Sequence, residues 1–168
     1  MSAVPRPAAA AEVSEAQLVD FVYDETELID SGRLEEWLDL FAEDGLFWAP
    51  LTPGQPDPGE PGWDLHTALF QEDRLLLKLR IARLRSDKAY AQQPPSRCQH
   101  VVERPRVLEM DPDANRYRVA TKFLYVETRL DTQIVLAARA TYTLALEGGD
   151  LRIKLRKVEI LNCDAALP

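Results

Sequence analysis

The chain has 168 residues, 46% apolar and 29% charged, a balance that fits one folded domain and excludes a disordered, collagenous or disulfide-framed chain. Its net charge of −8 argues against a nucleic-acid binder with a global basic field. No run approaches the roughly 18 apolar residues of a membrane-spanning helix, and two cysteines, Cys98 and Cys163, suit free thiols in a reducing cytoplasm.

The charge is unevenly distributed. Residues 1–73 carry 17 acidic groups against Arg6 and Arg33, a net of −15, whereas residues 74–168 carry 18 basic and 11 acidic groups, a net of +7. Two arrangements satisfy this split: acidic helices lying against a basic sheet within one chain, or one subunit steered onto another.

Residues 1–13 are Ala- and Pro-rich, without an apolar core flanked by basic residues, and are expected to form a tail rather than a signal peptide. Residues 14–168 are expected to form a single α+β domain. Ser14 and Gln17 stand at capping-box spacing. Behind them Leu18, Phe21, Val22, Leu28 and Ile29 form one helical stripe, with Asp20, Asp24 and Glu27 mostly on the other side; Ser31-Gly32 ends the helix. Leu34, Trp37, Leu38 and Phe41 mark a second short helix, Glu43-Asp44-Gly45 a turn, and residues 46–50 a short strand.

Residues 53–62 hold four prolines and three glycines and read as one long surface loop. A short segment, 65–70, leads into a helix over 72–86. At roughly 100° per residue, Leu75, Leu79 and Ala82 fall on one side of that helix and Leu77, Ile81 and Leu84 nearly opposite, separated by arginines and a lysine. Two apolar stripes mean two apolar surfaces to touch, either both within one subunit or one of them on a neighbour.

Four long strands follow, over 97–110, 116–129, 133–147 and 151–161, with turns at 111–115, 130–132 and 147–150. Tyr117, Val119, Thr121, Phe123 and Tyr125 share one face, and Arg116, Arg118 and Lys122 the other. In the last strand the apolar phase changes between Leu155 and Val158, which predicts a β-bulge near Arg156-Lys157. Helices followed by a curled antiparallel meander imply helices filling a concave sheet.

Chemistry-bearing motifs are sparse. There is no phosphate-binding glycine loop and no G-x-S-x-G elbow. The ligand-type residues His66, Cys98, His100 and Cys163 lack the spacing of a metal site, so the chain is expected to hold no metal of its own. His100 is the candidate general acid or base, with Asp24, Asp44 or Asp64 as conceivable partners; the alternative is a histidine bonded in a core or interface. Trp37, Phe47, Trp48, Trp63 and Phe70 read as core or interface aromatics rather than a substrate cage.

Four blocks of the sequence resemble the small (β) subunits of aromatic-ring-hydroxylating, Rieske-type dioxygenases. They are FVYDETELIDSGRLEEWLDLFAEDGLFWAP (21–50), EDRLLLKLRIARLRSDKAYAQQPPSRCQHVV (72–102), the long meander, and RKVEILNCD (156–164). The proline-rich 53–62 loop departs from the pattern. The resemblance implies a cystatin-like, nuclear-transport-factor-two-like α+β fold: a curved antiparallel sheet with N-terminal helices on its concave face. It also implies a partner α subunit carrying the Rieske [2Fe–2S] cluster and the mononuclear iron, with no cofactor, metal or catalytic residue in this chain. A trimer of small subunits within an assembly of three α and three β subunits is implied, served indirectly by a ferredoxin or reductase, with no nucleic acid and no membrane. Arg74, Arg80, Arg83, Pro94, Pro95, Ser96 and Arg97 match motif positions and are candidate subunit-interface residues. A free-standing dehydratase or isomerase of the same fold, using His100 as acid/base, is the alternative.

Overall fold

A computed structural model describes residues 13–63, 68–86 and 96–163. The elements in chain order are α1 (Glu15–Asp30), α2 (Leu34–Asp39), β1 (Phe41–Pro50), β2 (Ala68–Asp73), α3 (Arg74–Arg85), β3 (Arg97–Val102), β4 (Arg106–Asp111), β5 (Arg116–Arg129), β6 (Thr132–Glu147) and β7 (Asp150–Ile160). The seven strands form one sheet in the order β2-β1-β7-β6-β5-β3, with β4 also pairing with β5. The pairs are antiparallel except β1 with β7, which is parallel.

Helix α1 begins where its capping box places it: the Gln17 N–H donates to Ser14 Oγ (3.2 Å), and the Ser14 N–H donates to Gln17 Oε1 (2.8 Å). It ends at Ser31, after which Gly32 takes φ +71°, a conformation that costs a glycine nothing. Leu18 and Val22 on its buried stripe join Trp37, Phe41, Leu77, Ile81, Tyr142, Leu144 and Ile153 in a single core on the concave face of the sheet. On the long β5–β6 ladder Tyr117, Val119 and Thr121 point inward as the alternation predicts, and the hairpin turns fall at 112–115, 130–131 and 148–149.

Four local expectations are corrected. Glu43-Asp44-Gly45 is no turn: it lies inside β1, in a bulged stretch where the register against β7 passes from Phe41↔Ile153 to Leu46↔Leu155. Gly45 is required there, because a Cβ would sit 2.6 Å from the Ile153 carbonyl oxygen and 2.9 Å from that of Ala42. Phe41 opens β1 and does not extend α2.

Residues 97–110 form two strands, β3 and β4, broken around Pro105, which has no N–H for a ladder. In β7 the extra residue is Lys154, not Arg156-Lys157, since Thr143 pairs with Leu155 and Leu144 with Ile153. Moving the bulge two residues upstream turns Arg156 into the core in phase with Val158 and Ile160.

Candidate functional site

The concave interior is built around charge. Leu18, Val22 and Glu25 fall at spacings of four and three on one stripe of α1, so Glu25 enters the core with its apolar neighbours, and its side chain is 0% exposed. The Arg156 side chain, 5% exposed, meets it from β7 with Nε 2.8 Å from Glu25 Oε1. The same carboxylate accepts the Trp37 indole N–H at 2.6 Å and the Tyr142 hydroxyl at 2.9 Å. The guanidinium lies over the Phe47 ring at 4.9 Å and the Tyr142 ring at 5.5 Å. Burial opposes the Arg156 charge, but the Glu25 carboxylate and the Tyr142 hydroxyl outweigh it and hold its pKa above the ordinary value. Burial pushes the Tyr142 hydroxyl up as well. Every oxygen of Glu25 is therefore engaged, and four side chains close the centre of the cone. Neither Glu25 nor Arg156 stood out in the sequence. The readable signal was a carboxylate on an apolar helical stripe and an arginine in phase with Val158 and Ile160.

His100 lies nearer the edge of the sheet, on β3. It shares the inward face with Cys98 and Val102, as alternation predicts. Its partner is Asp30, the last residue of α1, rather than Asp24, Asp44 or Asp64: Asp24 is exposed, Asp44 pairs with Lys154, and Asp64 lies outside the described residues. Asp30 Oδ1 stands 2.6 Å from His100 Nδ1, and Oδ2 accepts the His100 backbone N–H at 2.8 Å. One carboxylate thus holds both the ring and the backbone of His100. The imidazole packs between the rings of Phe123 (5.2 Å) and Tyr125 (5.1 Å).

Beside it the Tyr125 hydroxyl donates to Glu127 at 2.6 Å. Burial, and then this bond, push the Tyr125 hydroxyl up; the Glu127 carboxylate is held low by Tyr125 and by the Ser96 hydroxyl. Burial and the charges of Asp30 and Glu127 raise the Cys98 thiol. The pair ties the end of α1 to β3, and His100 lines neither the groove described below nor the small crevice between α3 and Phe47.

The outer face of the sheet is different in kind. The 53–62 loop is fastened there: the Gly54 N–H donates to Glu159 (2.9 Å), Arg118 and Lys157 each reach Asp57 at 3.2 Å, and the Lys157 ammonium donates to the Gln55 carbonyl. Between this loop and β3 opens a groove of about 850 Å³, floored by Val101, Leu124 and Ala137 and flanked by Lys122 and Arg139. Val101, Leu124, Val135 and Leu161 are exposed on or beside it.

A second uncovered surface lies on α3. Leu77 and Ile81 are 2% and 6% exposed, whereas Leu75 and Leu79 are 65% and 53% exposed, so the helix spends one stripe on the core and leaves the other bare.

The candidate interface residues divide accordingly. Arg74 binds Asp39 (3.1 Å) and Glu43, and Arg80 binds Glu72, all within the chain. Arg83 lies in the last turn of α3, Arg97 is exposed at the start of β3, and Ser96 bonds to Glu127. Pro94 and Pro95 lie outside the described residues, as does His66. Much of the charge asymmetry is settled internally, through Glu25–Arg156, Glu35–Arg85, Asp44–Lys154 and Asp57 with Arg118 and Lys157. Among the described residues no three His, Cys, Asp or Glu side chains cluster as a metal site. No described helix is long and apolar enough to cross a membrane.

Comparison with known proteins matches residues 24–165 to the family model of the ring hydroxylating beta subunit. The small oxygenase component of the p-cumate 2,3-dioxygenase system of Pseudomonas putida is 31% identical over 159 residues, 95% of this chain and 85% of that one. The crystal structure of the beta subunit of benzoate 1,2-dioxygenase from Burkholderia mallei superposes with a TM-score of 0.71 at 22% identity, over 89% of this chain and 92% of that one. A scytalone dehydratase candidate from Novosphingobium aromaticivorans shares the fold at a TM-score of 0.59 and 14% identity, over 85% of this chain and 80% of that one.

Proposed function

The chain belongs to the ring-hydroxylating beta-subunit family, and from that premise we propose that it is the non-catalytic structural subunit of a multicomponent aromatic-ring-hydroxylating dioxygenase. It holds iron-bearing α subunits in the arrangement that aromatic-compound catabolism requires. The observation that carries this reading is the closed interior. Where a concave sheet and its helices would enclose a reaction pocket, Glu25 pairs with Arg156 and accepts from Trp37 and Tyr142, so these side chains fill the centre.

Binding surface is offered outside instead, as the bare stripe of α3 and the apolar groove beside Val101 and Leu124. Three small and three α subunits form the working assembly in the cytoplasm. The Rieske cluster and the mononuclear iron reside in the α subunit, which receives electrons from a ferredoxin or reductase. Arg83, Ser96 and Arg97, with Pro94 and Pro95, contribute to the contacts, while Arg74 and Arg80 shape the α3 surface through their internal pairs.

The Asp30–His100 dyad supports a second reading, a free-standing dehydratase or isomerase with His100 as acid/base. It is not favoured, because no described cavity reaches the imidazole. Native mass and iron content of tagged protein recovered from its own host cells test the choice. A brown complex with a larger chain that keeps the iron on dissociation is expected. A colourless monomer, dimer or trimer recovered alone would overturn the subunit reading, and activity lost in His100→Ala on a dehydratase or isomerase substrate would establish the second.

A further inference from the structure

The charge split of the sequence is not all settled within the chain, and two like-charged sets remain. On α1, Asp20, Asp24 and Glu27 follow at spacings of four and three, so they stand on one stripe, all exposed, with Tyr23, 41% exposed, beside them. On the outer face of the sheet, Lys122 of β5 and Arg139 of β6 are directly opposite in register and both exposed. Arg106 of β4, opposite Ala120, adds a third exposed cation to that face. Among the described residues none of these six charged side chains has an ion-pair partner. Like charges four residues apart on a helix, or directly opposite on a strand ladder, cost stability. The fold thus carries two unrelieved sets of opposite sign, one on the helix side of the sheet and one on its outer side.

The cationic set borders the groove beside the 53–62 loop. Two residues along β5 and β6 from Lys122 and Arg139 lie Leu124 and Ala137 on its floor, with Leu161 exposed next to them. Glu159 on the same wall is engaged by the Gly54 N–H and by Lys157, so Lys122 and Arg139 outnumber the remaining carboxylate of the lining, Glu103. We infer that this groove receives the acidic stripe of α1 from a second copy of the chain. Tyr23 lies on the apolar floor, and Asp20, Asp24 and Glu27 meet Lys122, Arg139 and Arg106, an amphipathic helix laid in a groove of opposite charge. Because helix and groove are on opposite sides of the sheet, the contact runs head to tail, the kind that closes into a ring. A groove-to-groove contact would instead bring two cationic pairs together. The inference rests on the assembly reading and deepens it, naming the faces through which small subunits meet.

The test uses the purified full chain without any larger subunit, followed by sedimentation velocity at low and high salt. Failure of this contact therefore leaves the subunit reading standing, and failure of that reading leaves this measurement intact. The wild type is expected to self-associate, and less so at high salt, because exposed charges are screened. Lys122→Glu with Arg139→Glu, or Asp20→Lys with Asp24→Lys, should each weaken self-association about tenfold or more while circular dichroism stays that of the wild type. A chain carrying all four replacements again opposes unlike charges and should regain association to within about threefold. Should a reversed variant fail to fold, Lys122→Gln with Arg139→Gln and Asp20→Asn with Asp24→Asn decide instead: each should weaken association about threefold or more and flatten its salt dependence. A wild type still monomeric at about 0.1 mM, where a contact with Kd on the order of 10 µM is well populated, would overturn the inference. So would association unchanged in either pair of replacements, or not regained in the fourfold variant. Self-association intact in Lys122→Glu with Arg139→Glu, with recovery of the larger iron-bearing chain lost, would overturn it by assigning the groove to that chain.

Discussion

Replacing Glu25 with alanine removes the carboxylate that neutralises Arg156 and receives the Trp37 and Tyr142 donors. The Arg156 side chain is buried, so its charge would be left away from bulk solvent. Breaking one partner of a buried ion pair costs about 3–5 kcal/mol, because the other charge is left desolvated and alone. For a chain of this length each kcal/mol lowers the thermal midpoint by about 2–4 °C, so a fall of about 6–20 °C is expected. The double replacement Glu25→Leu with Arg156→Met removes both charges and should recover most of that loss. Recovery should fall short by about 1–3 kcal/mol for each stranded donor, the Trp37 N–H and the Tyr142 hydroxyl. Urea unfolding of the wild type, both single variants and the double variant closes the cycle. A loss below about 1 kcal/mol for Glu25→Ala, or additive single effects, would refute the reasoning.

Leu75→Asp with Leu79→Asp should leave the unfolding midpoint of the purified chain within about 0.5 kcal/mol of the parent, yet weaken recovery of the larger partner chain on affinity capture. Leu77→Asp, on the opposite stripe, should instead prevent folding, as circular dichroism would show. Gly45→Ala should cost about 1–3 kcal/mol in urea unfolding, because its Cβ would press on the backbone of Ile153 and Ala42. Tyr125→Phe removes the bond that most lowers the Glu127 carboxylate. A carboxylate depressed in the folded state stabilises above its unfolded value and loses that contribution as pH falls through the folded one. The stability difference between wild type and Tyr125→Phe should therefore be full above about pH 5 and shrink in acid, which urea midpoints across pH would trace.

The helices were the most legible part of the chain. The Ser14–Gln17 box, the Leu18–Val22 stripe and Gly32 are local signals, each resolved within one or two helical turns, and α1 begins and ends where they place it. The two stripes of α3 were equally plain, although which one faced inward was not, because periodicity assigns residues to faces and does not orient those faces. The site was less legible. Alternation placed His100 with Cys98 and Val102, but its carboxylate comes from the end of α1, 70 residues away, and no spacing rule connects those positions. Family resemblance, carried by the motif blocks, supplied the reading of function that composition and periodicity could not.

By itself the sequence determined the helix caps, the apolar stripes, the hairpin turns and the inward face of β5, since each depends on backbone preferences and side-chain periods acting over a few residues. Only the tertiary structure decided what depends on register between distant strands. The parallel β1–β7 pairing made a strand bulge of Glu43-Asp44-Gly45, and the extra residue at Lys154 reversed the facing of all that follows in β7. That one-residue shift turned Arg156 from the solvent side to Glu25, because a strand's side chains alternate with period two and any insertion exchanges its faces.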